Sequence, residues 1–311
     1  MELSKIIKHI RRSAGLSQEE FADKVGVTRI TVTRWEASVS VPNVIAQIKM
    51  YEIAKENGTD FFDMIISNIP EHRTDGDKII LYHGSKTGIV GPIRPISREF
   101  CDFGRGFYMG TEAHQPLTML FSSDKNVVSD VCLYIVEFDM RDLKVMHVPF
   151  GIDWALLIAY CRGMMEDFKG TDQYEKYRSM LTGYDVVVGK IADDKIFTTI
   201  DTFFDGYLTE KAVLECLSAL PLGDQYVALT DNACNRVRIL ERIDLSELER
   251  LCITEVSERN RKIGMKMAED IHIAHRRKGR FIDEIMMEKE EDPEDNRRAG
   301  KYFDEIMKEG G

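Results

Sequence analysis

The hydrophobic period changes twice along this chain, and one repeating architecture cannot accommodate both changes. Through residue 68, apolar side chains recur three and four residues apart, the spacing of helices packed by one face. "SNIPEHRTDGDK" (67–78) then interrupts the pattern with Pro70, Gly76 and a cluster of charges. Short β-branched runs bounded by turn residues follow: "IILYHGS" (79–85), "VCLYIVEFDM" (131–140), "YDVVVGKI" (184–191), "GDQYVALTD" (223–231) and "RVRILERI" (236–243). These predict strands. Between them, "WALLIAYCRGMMEDF" (154–168) and "EKAVLECLSALP" (210–221) have helical spacing. From residue 244 onward the sequence is almost continuously helix-forming, with Leu, Ile and Met spaced among charges of both signs. The expected organisation is multidomain: an all-α head (1–68), a linker (69–77), an α+β domain (78–243) and a charged α-helical tail (244–311). The tail is expected to pack on the middle domain or on a partner chain.

Composition narrows the function classes. The 311 residues are 43% hydrophobic and 31% charged, as in folded globular proteins. No apolar run approaches the ~20 residues that span a bilayer. The stretch "MELSKIIKHIRRSAGLSQEE" is charged throughout, unlike a secretory signal. Six cysteines stand singly, without a CxxC or a histidine at ligand spacing, so reduced thiols, no metal and a cytoplasmic location are expected. A net charge of −11 is poorly suited to coating nucleic acid, yet residues 1–50 hold eight Lys/Arg against five Asp/Glu. "HIAHRRKGR" (272–280) reads either as a solvated helix face or as a nucleic-acid patch.

In the head, "LSQEEFADKVGV" (16–27) opens with Ser17 as N-cap and Glu20 three residues on, a capping-box pattern, and closes at Gly26. "TRITVTRWEAS" (28–38) begins with Thr28 as N-cap and carries Ile30, Val32 and Trp35 as its apolar residues. Two short helices meeting at a glycine turn form a helix-turn-helix. The segment, with "VPN" and "VIAQIKMYEIAKE" after it, resembles the XRE/Cro-type repressors. That resemblance implies that the second helix enters the major groove of an operator. Arg29, Thr31 and Thr33 would then face the bases and Gln18 and Arg34 the phosphates, with a homodimer on paired half-sites. Glu19, Glu20, Asp23 and Glu36 dilute the positive face.

In the middle domain, "DFGRGFYMG" (102–110) sets three glycines around Phe103, Phe107 and Tyr108. A dinucleotide fingerprint needs a strand directly before and a helix directly after its glycines; "ISREFCD" is not such a strand, and the spacing 104–106–110 differs. Upstream lies "LYHGS", with His83 and Gly84 at a strand end. The pair resembles the ADP-ribosyltransferases of the diphtheria-toxin/PARP class, in which a strand ending His-Gly-Ser/Thr precedes one reading Gly-Lys-Gly-Ile-Tyr-Phe. With "YDVVVGKIADD" and "GDQYVAL", residues 78–235 resemble more closely a bacterial family of uncharacterised ADP-ribosyltransferase-like domains.

The resemblance implies a split-sheet α+β fold and NAD as substrate. Tyr108 would stack on nicotinamide, Gly84 would bring its backbone to the carboxamide, and His83 and Ser85 would bond ribose hydroxyls. Gly104 and Gly106 would let the loop fold over the ligand, and Arg105 would pair with the diphosphate. The glutamate that this class places on a later strand is matched by Gln225, which accepts or donates hydrogen bonds but takes no proton. Asp193 and Asp194, expected in a loop after a strand, would supply another acid or simply form a turn; Asp205 reads as a turn residue. The expected activity is transfer of a single ADP-ribose to an unknown macromolecular acceptor, by a toxin or a self-regulating repressor. The rival readings are a transcription regulator that senses NAD or ADP-ribose and a scaffold with a decayed site.

Overall fold

The computed structural model describes residues 3–73, 78–121, 131–192, 194–218, 223–275 and 279–287. The head contains α1 (Leu3–Ser13), α2 (Gln18–Val25), α3 (Arg29–Glu36), α4 (Val44–Glu56) and α5 (Phe62–Ser67). Their ends follow from local chemistry. The Ser17 hydroxyl accepts from Glu20 N while the Glu20 carboxylate accepts from Ser17 N at 2.8 Å, so two free amide donors of α2 are satisfied. Gly26 ends the helix at φ +82°, and Lys49 Nζ donates to the Val25 carbonyl at 3.0 Å. Thr28 and Asn43 cap α3 and α4 in the same way. Phe21, Val25, Val32 and Trp35 fill the small core with Ile6, Ile7 and Ile10 of α1. Ile30 does not join them: it is 72% exposed at the first turn of α3, because helical spacing aims the core face through Val32 and Trp35 instead.

The α+β portion begins with β1 (Lys78–Ser85), β2 (Phe107–Gly110), α6 (His114–Leu120), β3 (Cys132–Asp139), β4 (Val145–His147), α7 (Ile152–Cys161) and α8 (Asp172–Met180). It continues with β5 (Val186–Lys190), α9 (Asp194–Phe204), α10 (Glu210–Ser218), β6 (Asp224–Ala228), α11 (Asp231–Cys234) and β7 (Val237–Asp244). The strands form one sheet in the order β4-β5-β6-β2-β1-β3-β7, antiparallel except where β4 joins β5. The helix expected over 154–168 stops at Cys161, because Gly163 takes φ +78° and turns the chain. Asp194 lies at the first position of α9 rather than in a loop, a place where helix ends favour acidic residues. Asp193 lies outside the described residues, and Asp205 sits in the turn that follows α9.

The last elements are α12 (Glu247–His275) and α13 (Ile282–Met286). Ser246 caps α12, its hydroxyl donating to the Glu249 carboxylate at 2.7 Å. This helix is an integral part of the body. Leu248, Cys252 and Ile253 share a core with head residues Met50, Ile53 and Ile65 and with Leu117, Leu133 and Ile135 of the sheet side. Leu248 N donates to the buried Gln47 side chain at 3.0 Å, the Tyr51 hydroxyl donates to Glu255, and Arg259 pairs with Asp60. The long helix therefore clamps the head against the sheet. Of the basic stretch 272–280, residues 276–278 are outside the described set, and Arg280 is held by Glu210 at 2.6 Å. No helix among the described residues is long and apolar enough to cross a membrane, and none of their His, Cys, Asp and Glu side chains form a metal-holding group.

Candidate functional site

The DNA-facing candidates divide by exposure. Arg29 and Arg34 are exposed, and neither guanidinium bonds another described residue. Thr33 is exposed and donates to Gln18 at 3.1 Å; Gln18 in turn donates to Glu36 at 2.9 Å. Thr31 is turned back onto the cap, its hydroxyl 2.9 Å from that of Thr28. Glu36 is also gripped by both ends of the Arg11 guanidinium, at 2.6 and 3.2 Å. Burial opposes its ionisation, but the Arg11 and Gln18 hydrogen bonds outweigh that and hold its pKa below the usual carboxylate value. Its charge is thus neutralised inside the head and does not repel a phosphate. Ile30, beside Arg29, is open on the same surface and not part of the core. Arg29→Ala is expected to lower discrimination between operator and mismatched duplex, whereas Arg34→Ala weakens binding to all duplexes and reduces the log–log salt slope by about 0.9. Fluorescence titration at several salt concentrations measures both; equal affinities in both variants and the parent would refute this surface.

The second site lies where the sheet divides. Among the described residues β1 and β2 pair at Tyr82↔Gly110 alone, whereas β1 pairs with β3 along its whole length. Past Tyr82 the two strands part, leaving His83–Ser85 opposite the start of β2. His83 Nδ1 spans the gap to the Tyr108 carbonyl at 2.7 Å. A carbonyl only accepts, so Nδ1 carries the proton. Burial lowers the His83 pKa against the raising effect of that bond, so the ring is neutral and Nε2 is an acceptor. The ring stacks on Phe107 at 4.2 Å between centroids.

Strand alternation separates the side chains. Tyr82, Gly110 and Gln225 are register partners across β1, β2 and β6, so Tyr108 and Gln225 share one face of the sheet and His83 leaves by the other. His83 and Tyr108 therefore meet through backbone, at the gap.

Tyr108 and Gln225 are held by the 97–106 loop. The Tyr108 hydroxyl donates to Gly104 O at 2.7 Å and accepts from Phe103 N at 3.0 Å. Burial, then the nearby Asp102 charge, keeps that hydroxyl protonated. Gln225 is 3% exposed, and its amide donates to Asp102 at 2.9 Å and to Lys190 O at 3.1 Å. Asp102 is equally buried and receives three further bonds, two from Arg162 and one from Ala192 N at 3.2 Å. Burial, then the Asp102 charge, pushes the neighbouring Cys161 thiol up to about 12, which removes it as a nucleophile. Asp102 and Arg162 escaped the sequence reading: an Asp in a glycine-rich loop carries no local signal, and its partners lie 60 and 123 residues away.

The glycines shape the loop and its packing. Gly104, at φ +74°, makes the turn that brings its carbonyl to Tyr108. A Cβ on Gly106 would stand 2.3 Å from Val227 Cγ1, and one on Gly84 would meet Leu120 Cγ and the Pro116 carbonyl at 3.0 Å. Their missing side chains make room for Val227 of β6 and for Pro116 and Leu120 of α6. Ser85 Oγ accepts from Thr87 N at 3.4 Å, and Arg105 is exposed, facing Glu99 at 3.4 Å.

A family model described as a protein of unknown function, DUF3990, matches residues 79–239, more than half of the chain. The chain belongs to the DUF3990 family. A helix-turn-helix model matches residues 7–53, so the DUF3990 domain follows an XRE-type DNA-binding head. No curated protein and no solved structure matches the chain. In the DUF3990 domain the match spans β1 through the first part of β7, which includes the gap, His83, the 97–106 loop and Gln225.

Proposed function

We propose that this DNA-binding regulator takes NAD at the gap between β1 and β2 and transfers one ADP-ribose to a macromolecular acceptor. The observation that carries the reading is the parting of β1 and β2 directly after Tyr82, with His83 bridging to Tyr108 across it. A parted pair of strands exposes backbone donors and acceptors that a nucleotide can use. The neutral His83 offers Nε2 to a ribose hydroxyl, and Ser85 adds a hydroxyl at the same strand end. In transfer, the acceptor's nucleophile bonds to the anomeric carbon, nicotinamide leaves neutral with the electrons of its glycosidic bond, and the acceptor's proton passes to water. Gln225 takes no proton, so its part is hydrogen bonding, and chain elongation is not expected.

A second reading is favoured by one observation: Gln225 and Asp102 satisfy one another beneath the loop. A domain that keeps its polar groups paired in this way suits a nucleotide sensor that adjusts the DNA affinity of the head. The clamp formed by α12 supplies a mechanical connection between them.

Incubation of the full chain with NAD labelled in its adenosine, in cell extract, separates the two readings. Transfer predicts nicotinamide release and label on a macromolecule, both reduced at least tenfold by His83→Ala. Binding of NAD without turnover, together with an NAD-dependent change in operator affinity, establishes the sensor. Neither turnover nor binding would sink both.

A further inference from the structure

The segment joining β1 to β2 carries a surface that neither reading uses. Its last part is a pinned loop. Ser97 bonds Gly106 from both sides, N to O at 3.3 Å and Oγ from N at 3.0 Å, and Asp102 and Phe103 anchor the loop from beneath. Against that rigid base Phe100 is 66% exposed, and Ile96 and Val90 of the same segment are exposed as well. The Phe100 ring rests on the backbone of Gly163: a Cβ there would stand 3.0 Å from Cε1. One part of the ring is thus seated and the rest is open. Arg94 and Arg98 are exposed, and their guanidinium groups, like the Lys86 ammonium, bond no other described residue. The acids of the segment are committed elsewhere, Glu99 to Arg105 and Asp102 to Arg162. Three cations of this segment thus have no counter-charge among the described residues, on a chain of net charge −11, and two of them stand within six positions of Phe100 in the sequence.

We propose that Phe100, with Arg94 and Arg98, binds single-stranded nucleic acid, which is then the acceptor of the transfer. A fixed aromatic face offers a base a stacking platform, and unpaired cations in the same segment match the phosphates of a strand that runs along it. Duplex bases are already stacked and have no use for Phe100, and a purely apolar protein partner would leave the arginines buried without counter-charges. The acceptor role rests on the NAD-transfer reading; the binding does not.

The test uses the full chain carrying Arg29→Ala and Arg34→Ala, which silences the head, and fluorescein-labelled oligothymidylate. Anisotropy is expected to show binding that Phe100→Ala weakens about tenfold and Phe100→Trp preserves. Arg94→Ala with Arg98→Ala should flatten the log–log salt slope by about 1.4. No binding, or equal binding by the Phe100→Ala chain, overturns the surface. Binding of polyglutamate with the same dependence on Phe100 and both arginines overturns it in favour of an acidic protein partner. With labelled NAD added, label on the oligonucleotide that is lost in Phe100→Ala supports the acceptor role. Nicotinamide release without a labelled oligonucleotide overturns that role and leaves the transfer reading standing. Oligonucleotide binding without any nicotinamide release supports the surface while the transfer reading fails.

Discussion

Asp102→Ala is expected to destabilise the protein by about 3–5 kcal/mol, because it removes the carboxylate of a buried ion pair with Arg162. Ala192 N loses its acceptor in the same change, and the Gln225 amide loses one of its two. For a domain of this size the loss corresponds to a drop in Tm of roughly 10 °C. Scanning calorimetry of the full chain measures it, and Asp102→Asn should recover part of the loss, since its one amide oxygen still accepts either from Arg162 or from Ala192 N. If the alanine variant melts within 2 °C of the parent (about 1 kcal/mol or less), the network does not hold the loop. The functional consequence follows from geometry: Phe103 N and Gly104 O bond Tyr108 only while the loop stays seated.

Gln225→Glu, the substitution that would restore the glutamate of the resembling transferases, should not restore an acid catalyst. It would place a second carboxyl group within hydrogen-bond distance of Asp102 in a buried site, with Arg162 as the nearby cation. Two carboxylates in one such site cannot both ionise at low cost, so the new group would retain its proton well above the unfolded value. A shift of about 2–3 units would cost about 3–4 kcal/mol at neutral pH. The sign is definite. A folded pKa raised above an unfolded value of about 4.3 makes the variant as stable as its parent in acid and progressively weaker as pH rises from there. Urea denaturation of both proteins between pH 4 and pH 8 measures the difference. Equal stabilities across that range would mean that Asp102 does not face position 225. Glutamine fits here because its amide donates where a carboxylate would repel.

Asp102 also changes how the missing acid is understood. The domain has a carboxylate beside position 225, but one supplied by the covering loop and fully bonded to Arg162, Ala192 and Gln225. It positions the glutamine and the loop, and it has no free lone pair aimed at the gap.

The sequence by itself determined what local chemistry decides. Capping residues and a left-handed glycine set the ends of the head helices, because each satisfies a backbone group within a few residues of itself. Long β-branched runs declared β1, β3, β5 and β7, whose apolar side chains demand burial in any arrangement. Tertiary structure alone decided the rest. β2 has four residues, none β-branched, and exists because β1 and β6 supply its hydrogen bonds. α8 is polar along most of its length and gains its core contacts only through Tyr174 and Tyr177, which the fold buries. The opposite faces of His83 and Tyr108 depend on register, which a linear pattern does not carry. Asp102, Arg162 and Gln225 are unremarkable singly, and their charge and polarity acquire meaning only when folding removes water and leaves each group no partner but the others.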